Sequence, residues 1–171
     1  MTQIAWVVMG VSGCGKSAVG MRLAQAAGAR FIEGDRFHPA DNLAKMSAGI
    51  ALDDNDRLGW LQALRAEIER AWEAGEVAVL ACSALKRRYR DILRAGGGEV
   101  RFVHLHGARD LIAQRMGARS GHFMPVTLLD SQLRDLEPLQ PDEAGVTLDI
   151  KDPPERLAEQ ALLSMPEPGI D

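Results

Sequence analysis

Aromatic residues are scarce in this chain, with 4 Phe, 3 Trp and 1 Tyr among 171 residues. A core with so few rings is filled mostly by aliphatic side chains and alanine, as where helices cover a sheet. Cysteine is scarcer still. Cys14 and Cys82 cannot build a disulfide framework or a zinc cluster. No stretch approaches the ~18 uninterrupted apolar residues of a membrane span, and the first residues lack the basic flank of a secretory signal, so a soluble, cytoplasmic chain is expected. Basic residues are not in excess. The 20 Lys plus Arg stand against 24 Asp plus Glu, a formal charge of −4, which disfavours general nucleic-acid binding. The imbalance is uneven: residues 130–171 carry 11 acids and 3 bases, whereas residues 1–129 carry 13 acids and 17 bases. A site that receives anions is compatible with that first portion.

What is present is an alternation of short apolar runs and longer amphipathic segments. Ile4 to Met9, Val77 to Cys82 and Val100 to Leu105 are unbroken apolar runs, as expected of strands buried on both faces of a parallel sheet. Shorter strands are expected at Arg30 to Glu33 and Val146 to Ile150. Helical spacing follows Lys16 and recurs around Asp41 to Ala48. It is strongest from about Asp56 to Ala74, where Trp60, Leu61, Leu64, Ile68, Ala71 and Trp72 form one stripe that Asp53 or Asp54 can cap. Further helices are expected after Ser83, from Arg109 to Ala118, up to about Leu136 and from Pro153 to Leu163. The pattern predicts one α/β domain over residues 1–171: a five-stranded parallel sheet with helices on both faces.

Gly10-Val11-Ser12-Gly13-Cys14-Gly15-Lys16-Ser17 matches the phosphate-loop pattern in full and lies between a predicted strand and a predicted helix. Glycines let the backbone bend around phosphate oxygens and turn its N–H groups inward at a helix N-terminus. The pattern assigns Gly10, Ser12, Gly13, Cys14, Gly15, Lys16 and Ser17 to nucleotide binding. Lys16 neutralises charge on the β- and γ-phosphates, and the Ser17 hydroxyl ligates Mg²⁺. Cys14 reads either as a redox-sensitive thiol or as a small residue whose backbone matters; the second reading is preferred.

No Asn-Lys-x-Asp segment provides guanine specificity. A small-molecule kinase instead places acceptor groups at the carboxyl ends of its strands and closes a lid carrying arginines. Asp35, just past Gly34, is placed to hold or deprotonate an acceptor hydroxyl, with His38 and Lys45 following. Arg57 and the run Lys86, Arg87 and Arg88 sit at helix starts, where the macrodipole favours acids, so a bound anion is expected to compensate, with Ser83 as a donor. Arg88, Arg90 and Arg94 are read as solvated surface charge. Arg115 and Arg119 share a helix face and lead into Ser120-Gly121-His122-Phe123, a lid expected around residues 115–127.

Taken together these residues resemble the gluconokinases, of the shikimate-kinase-like group of phosphate-loop kinases. The resemblance runs from Met9 through Ser17, then Gly34-Asp35, His38-Pro39, Asn42 and Lys45-Met46. It continues in Leu52, Asp54, Asp56-Arg57, Trp60-Leu61, Cys82-Ser83-Ala84-Leu85-Lys86, Tyr89-Arg90 and Gly121-His122-Phe123. It implies ATP-dependent phosphorylation of the 6-hydroxyl of D-gluconate, with Mg²⁺ and a homodimer. On matching positions it implies Asp35 as the acceptor-side carboxylate, with His38, Lys45, Arg57, Ser83, Lys86 and Arg87 as sugar-acid contacts. Lys16, Asp35 and Arg119 are the expected catalytic residues, Arg115 an expected nucleotide contact and His122 an expected substrate contact. Two departures stand out: Cys14 occupies a position that often holds serine, and Leu128 to Pro138 match loosely, leaving the base contacts unassigned. Competing expectations are a kinase of shikimate or adenylyl sulfate and a nucleotide-switch binding module.

Overall fold

In a computed structural model of the chain, which describes residues 3–118 and 126–164, five parallel strands lie between two layers of helices. In chain order the elements are β1 (Ile4–Met9), α1 (Lys16–Ala27), β2 (Arg30–Glu33), α2 (Ala40–Ser47), α3 (Asp54–Glu73), β3 (Ala78–Ala81), α4 (Arg87–Arg94), β4 (Glu99–His106), α5 (Arg109–Ala118), α6 (Val126–Asp135), β5 (Gly145–Asp149) and α7 (Pro154–Leu163). The sheet order is β2-β3-β1-β4-β5. The predicted architecture and all five strands are present, with ends shifted by one residue or so. A short 3-10 turn over Gly34–Phe37, not anticipated from the sequence, carries Asp35. Among the described residues no helix is long and apolar enough to cross a membrane.

Alternation along β1 explains the two layers, because successive side chains of a strand point to opposite faces. Ala5, Val7 and Met9 pack with Trp60, Leu61, Leu64, Ile68, Tyr89 and Leu93 from α3 and α4. Trp6 and Val8 pack with Val19, Leu23, Ile112, Leu157 and Ala161 from α1, α5 and α7. Of the few aromatic rings, Trp60, Trp72, Tyr89 and Phe102 are buried on the α3 side, while Trp6 is buried on the other, and the remaining volume is mostly aliphatic.

Register aligns the functional ends. Val8 of β1 and Glu33 of β2 both pair with Ala81 of β3, so the carboxyl ends of these three strands lie nearly level, and β4, whose His104 pairs with Met9, runs two residues further. The chain runs outward from β1 to β2, returns through β3 and then crosses to β4; a crevice at such a reversal is where open α/β sheets bind ligands. The α3 start is fixed locally. Asp53 accepts from the Asp56 N–H at 2.8 Å while the Asp56 carboxylate accepts from the Asp53 N–H at 2.9 Å, a reciprocal cap.

One expectation for α4 is corrected. Arg90 is not solvated but fully buried, donating to both oxygens of the buried Glu143 at 2.7 and 2.9 Å and to the carbonyls of Ala84 and Leu85. Arg94 also reaches Glu143, at 3.0 Å. Arg88 is exposed as expected, paired with Asp54. The cations at the start of α4 are thus compensated by this chain's own carboxylates: Lys86 and Arg88 by Asp54, and Arg87 by Asp142.

Candidate active site

The phosphate loop turns from β1 into α1. Gly10 has φ 146°, and a Cβ there would come within 2.7 Å of both Cys14 Sγ and the Leu105 carbonyl, so this position requires glycine. Cys14 is buried beneath it. Lys16 Nζ donates to the Val11 carbonyl at 3.0 Å, curled over the loop. At the first turn of α1 the Ser17 hydroxyl donates to Glu33 Oε2 at 2.5 Å, bringing a carboxylate from the end of β2 to the loop. The Gly10 N–H donates to the Ser83 carbonyl at 3.2 Å, joining the phosphate loop to the segment after β3.

A cleft of about 240 Å³ opens beside the loop. It is bounded by Ser12 and Lys16 on one side and by Asp35, His38, Arg57, Trp60 and Ser83 on the other, with α6 and an apolar rim from α2 completing it. Asp35 projects from the 3-10 turn with most of its side chain exposed. His38 stacks on Trp60 with ring centroids 4.0 Å apart, and Trp60 is anchored by donating from Nε1 to the Gly34 carbonyl at 2.8 Å. Burial lowers the His38 pKa below its ordinary value, the nearby Asp35 opposing and Arg57 adding to the shift, so the imidazole is neutral at pH 7. Asn42 Nδ2 lies 3.3 Å from His38 Nδ1, which assigns Nδ1 as acceptor and leaves the Nε2–H as a donor 3.9 Å from Asp35 Oδ1.

Arg57, one turn into α3, is buried. Its Nη1 donates to the Tyr89 hydroxyl at 3.0 Å and lies 3.6 Å from Asp135 Oδ2 of α6. Tyr89 in turn donates to Asp54. Three expected substrate cations lie outside the cleft lining. Lys45 is held by Asp56 at 2.8 and 3.0 Å, Lys86 by Asp54 at 3.3 Å, and Arg87 by a two-pronged contact to Asp142 at 2.6 and 2.7 Å. A second cavity lies on the other side of the phosphate loop, lined by Gly13, Gly15, Arg115 and residues 151–154. Arg115 Nη2 donates to the Ile150 carbonyl at 2.8 Å. Arg119 and His122, and with them most of the expected lid, lie outside the described residues.

Glu33, Gln132 and residues 151–154 lie at the candidate site and are not singled out by the sequence. For Glu33 a sign was available, since it is a carboxylate ending a short apolar strand two residues before Asp35. Residues 151–154 and Gln132 reach the loop only through the fold.

A complete phosphate loop at β1, a row of strand ends beside it and a cleft holding an exposed carboxylate and a buried arginine define a phosphate-loop kinase of small molecules. A family model described as "AAA domain" matches residues 6–139. The chain is 46% identical over 142 residues to the thermosensitive gluconokinase of Escherichia coli strain K12, covering 83% of this chain and 76% of that protein. Among solved structures, a sugar kinase from Janibacter sp. HTCC2649 superposes with a TM-score of 0.89 at 48% identity, covering 95% of this chain and 94% of that one. A gluconokinase from Sinorhizobium meliloti 1021 does so with 0.84 at 46%, covering 95% and 91%. The chain belongs to the gluconokinase family.

Proposed function

We infer that this protein transfers the γ-phosphoryl group of ATP to the 6-hydroxyl of D-gluconate, giving 6-phospho-D-gluconate and ADP. The carrying observation is the single cleft in which Ser12 and Lys16 of the phosphate loop face Asp35, His38, Arg57 and Ser83. Gluconate is an anionic polyol; its carboxylate requires a cation and its hydroxyls require donors and acceptors, which these side chains provide. In this reading Arg57 receives the carboxylate, while Ser83 and the His38 Nε2–H hold hydroxyls. Asp35 orients the acceptor hydroxyl and takes its proton as the new O–P bond forms and the bond to ADP breaks. Lys16 leaves the Val11 carbonyl to neutralise the phosphates. Lys45 and Lys86 support this wall through Asp56 and Asp54, and Arg87 fastens α4 to the segment after α6, so these three are not proposed as direct contacts.

The second cavity is the proposed seat of the nucleotide base, with Arg115 beside it and Gly13 and Gly15 leading to the phosphates. Magnesium is proposed to accompany ATP. The Ser17 hydroxyl and Glu33 carboxylate, 2.5 Å apart, are hard oxygen donors suited to an ion that takes its remaining ligands from phosphate and water. Bound there, it would neutralise charge on the phosphoryl group. Arg119 and His122 are proposed to act from the segment between α5 and α6. A cytoplasmic location and a homodimer are proposed from the family resemblance, light scattering reading the dimer as twice the chain mass.

The test is a coupled assay of purified protein with Mg·ATP against D-gluconate, shikimate, adenylyl sulfate and AMP. Turnover is expected with gluconate; turnover confined to another acceptor overturns the assignment.

A further inference from the structure

Helix α6 touches both halves of the cleft from one face. Gln132 Oε1 accepts the backbone N–H of Ser12, at the crown of the phosphate loop, at 2.7 Å. Three residues further on, and therefore on the same face, Asp135 Oδ2 lies 3.6 Å from Nη1 of Arg57, a buried cation of the opposite wall. Leu128, Ser131 and Gln132 of the same helix line the cleft. The two walls otherwise belong to different elements: the loop hangs from β1 and α1, and Arg57 from α3. In-line transfer requires the reacting atoms about 3–3.5 Å apart, and an error near 1 Å costs about a hundredfold in rate. A helix bonded to one wall by a side-chain amide and to the other by a carboxylate fixes that separation.

We propose that Gln132 and Asp135 are a pair of positioning residues that hold the phosphate loop and the acceptor arginine in register for transfer. Neither is assigned to touch the reacting atoms. Gln132 acts through the Ser12 amide and Asp135 through Arg57. Because they act as one brace, losing either loosens the same separation. The proposal rests on the gluconokinase reading.

The test compares the parent protein with Gln132→Leu, Asp135→Asn and the double variant, each assayed with Mg·ATP and D-gluconate. Gln132→Leu removes the acceptor for the Ser12 N–H at similar size, and Asp135→Asn removes the charge facing Arg57. Each single change should lower kcat about tenfold or more, with both KM values and the affinity for ADP alone within about threefold of the parent. A residue with only a structural role would lower thermal stability without that split. The double variant should fall no more than about threefold below the worse single, since the second change breaks a brace already broken. Losses that multiply, or single variants with kcat within about twofold of the parent, overturn the proposal. Should Gln132→Leu fail to fold, Gln132→Met replaces it and is read the same way. A parent that does not turn over gluconate overturns the activity reading itself, whereas a parent that does, matched by its variants, overturns only the brace.

Discussion

Asp35 and Lys16 face one another across the cleft on very different supports. Lys16 follows a loop whose glycine geometry is dictated by sequence, and its place was legible from the motif alone. Asp35 was legible from its place after Gly34, although the 3-10 turn that projects it was not. The reading of Arg90 as surface charge failed because its carboxylate partner, Glu143, is 53 residues away, a distance over which sequence pattern carries no information. Lys45, Lys86 and Arg87, the sugar-acid contacts that the resemblance implies, are paired with Asp56, Asp54 and Asp142, partners that local spacing does not reveal. At this scale Asp35→Asn should reduce kcat by about 10²–10⁴, the range for losing a general base, while leaving nucleotide affinity nearly unchanged. Paired measurement of kcat and ADP affinity decides it, and a collapse of nucleotide affinity would reassign Asp35 to the metal side of the site.

Among the elements, α3 was the most legible because its apolar stripe and its cap agree. Trp60, Leu61, Leu64 and Ile68 all face the sheet, and Asp53 closes the first turn. The same reciprocal cap sets where Arg57 and Trp60 enter the cleft. Asp53→Ala should cost about 1 kcal/mol, a fall in Tm of about 2–4 °C for a chain of this size, read by calorimetry. The kcat with gluconate should fall in the same variant, because Arg57 sits one turn inside the frayed end; an unchanged kcat would separate the cap from the site. α6 was the least legible element. Its cleft-facing residues Leu128, Ser131 and Gln132 carry no recognisable motif, and their role exists only because the fold lays that face against the loop.

For the whole molecule, two buried groups contribute to the pH dependence of stability on the acid side. Burial lowers the His104 pKa to about 4, with His106 and Arg90 adding to the effect, and its Nδ1 has no hydrogen-bond partner among the described residues. The unfolded chain binds a proton at His104 near pH 6.5 and the folded chain does not, so stability falls as pH drops from about 6.5 to 4. Burial alone would raise the Glu143 pKa, but hydrogen bonds from Arg90, the Gln140 N–H and Arg94 outweigh it and hold the carboxyl at about 2. Its stabilising contribution is complete above about 4.5 and is lost as pH falls from there towards 2. Unfolding free energies from urea titrations at pH 7, 5.5 and 4 should therefore decline, by about 3 kcal/mol at most from His104 at ~1.4 kcal/mol per pKa unit. In His104→Leu the decline between pH 6.5 and 4.5 should flatten; an undiminished slope would show that another group titrates there. The acidic final portion also gains a purpose that composition could not reveal, because Asp135, Asp142 and Glu143 reach back to Arg57, Arg87 and Arg90.

The strand order has a consequence for the nascent chain. β2, which carries Glu33 and leads to Asp35, hydrogen-bonds only to β3, and β3 is made after α2 and α3. A ribosome that has delivered only the first two strands holds two ribbons with no ladder between them. The phosphate loop can close early, around β1 and α1, whereas the acceptor wall waits for a strand separated from β2 by more than forty residues of intervening chain. Synthesis arrested before Ala78 should therefore leave the segment from Arg30 to Phe37 sensitive to protease, and extension past Ala81 should protect it.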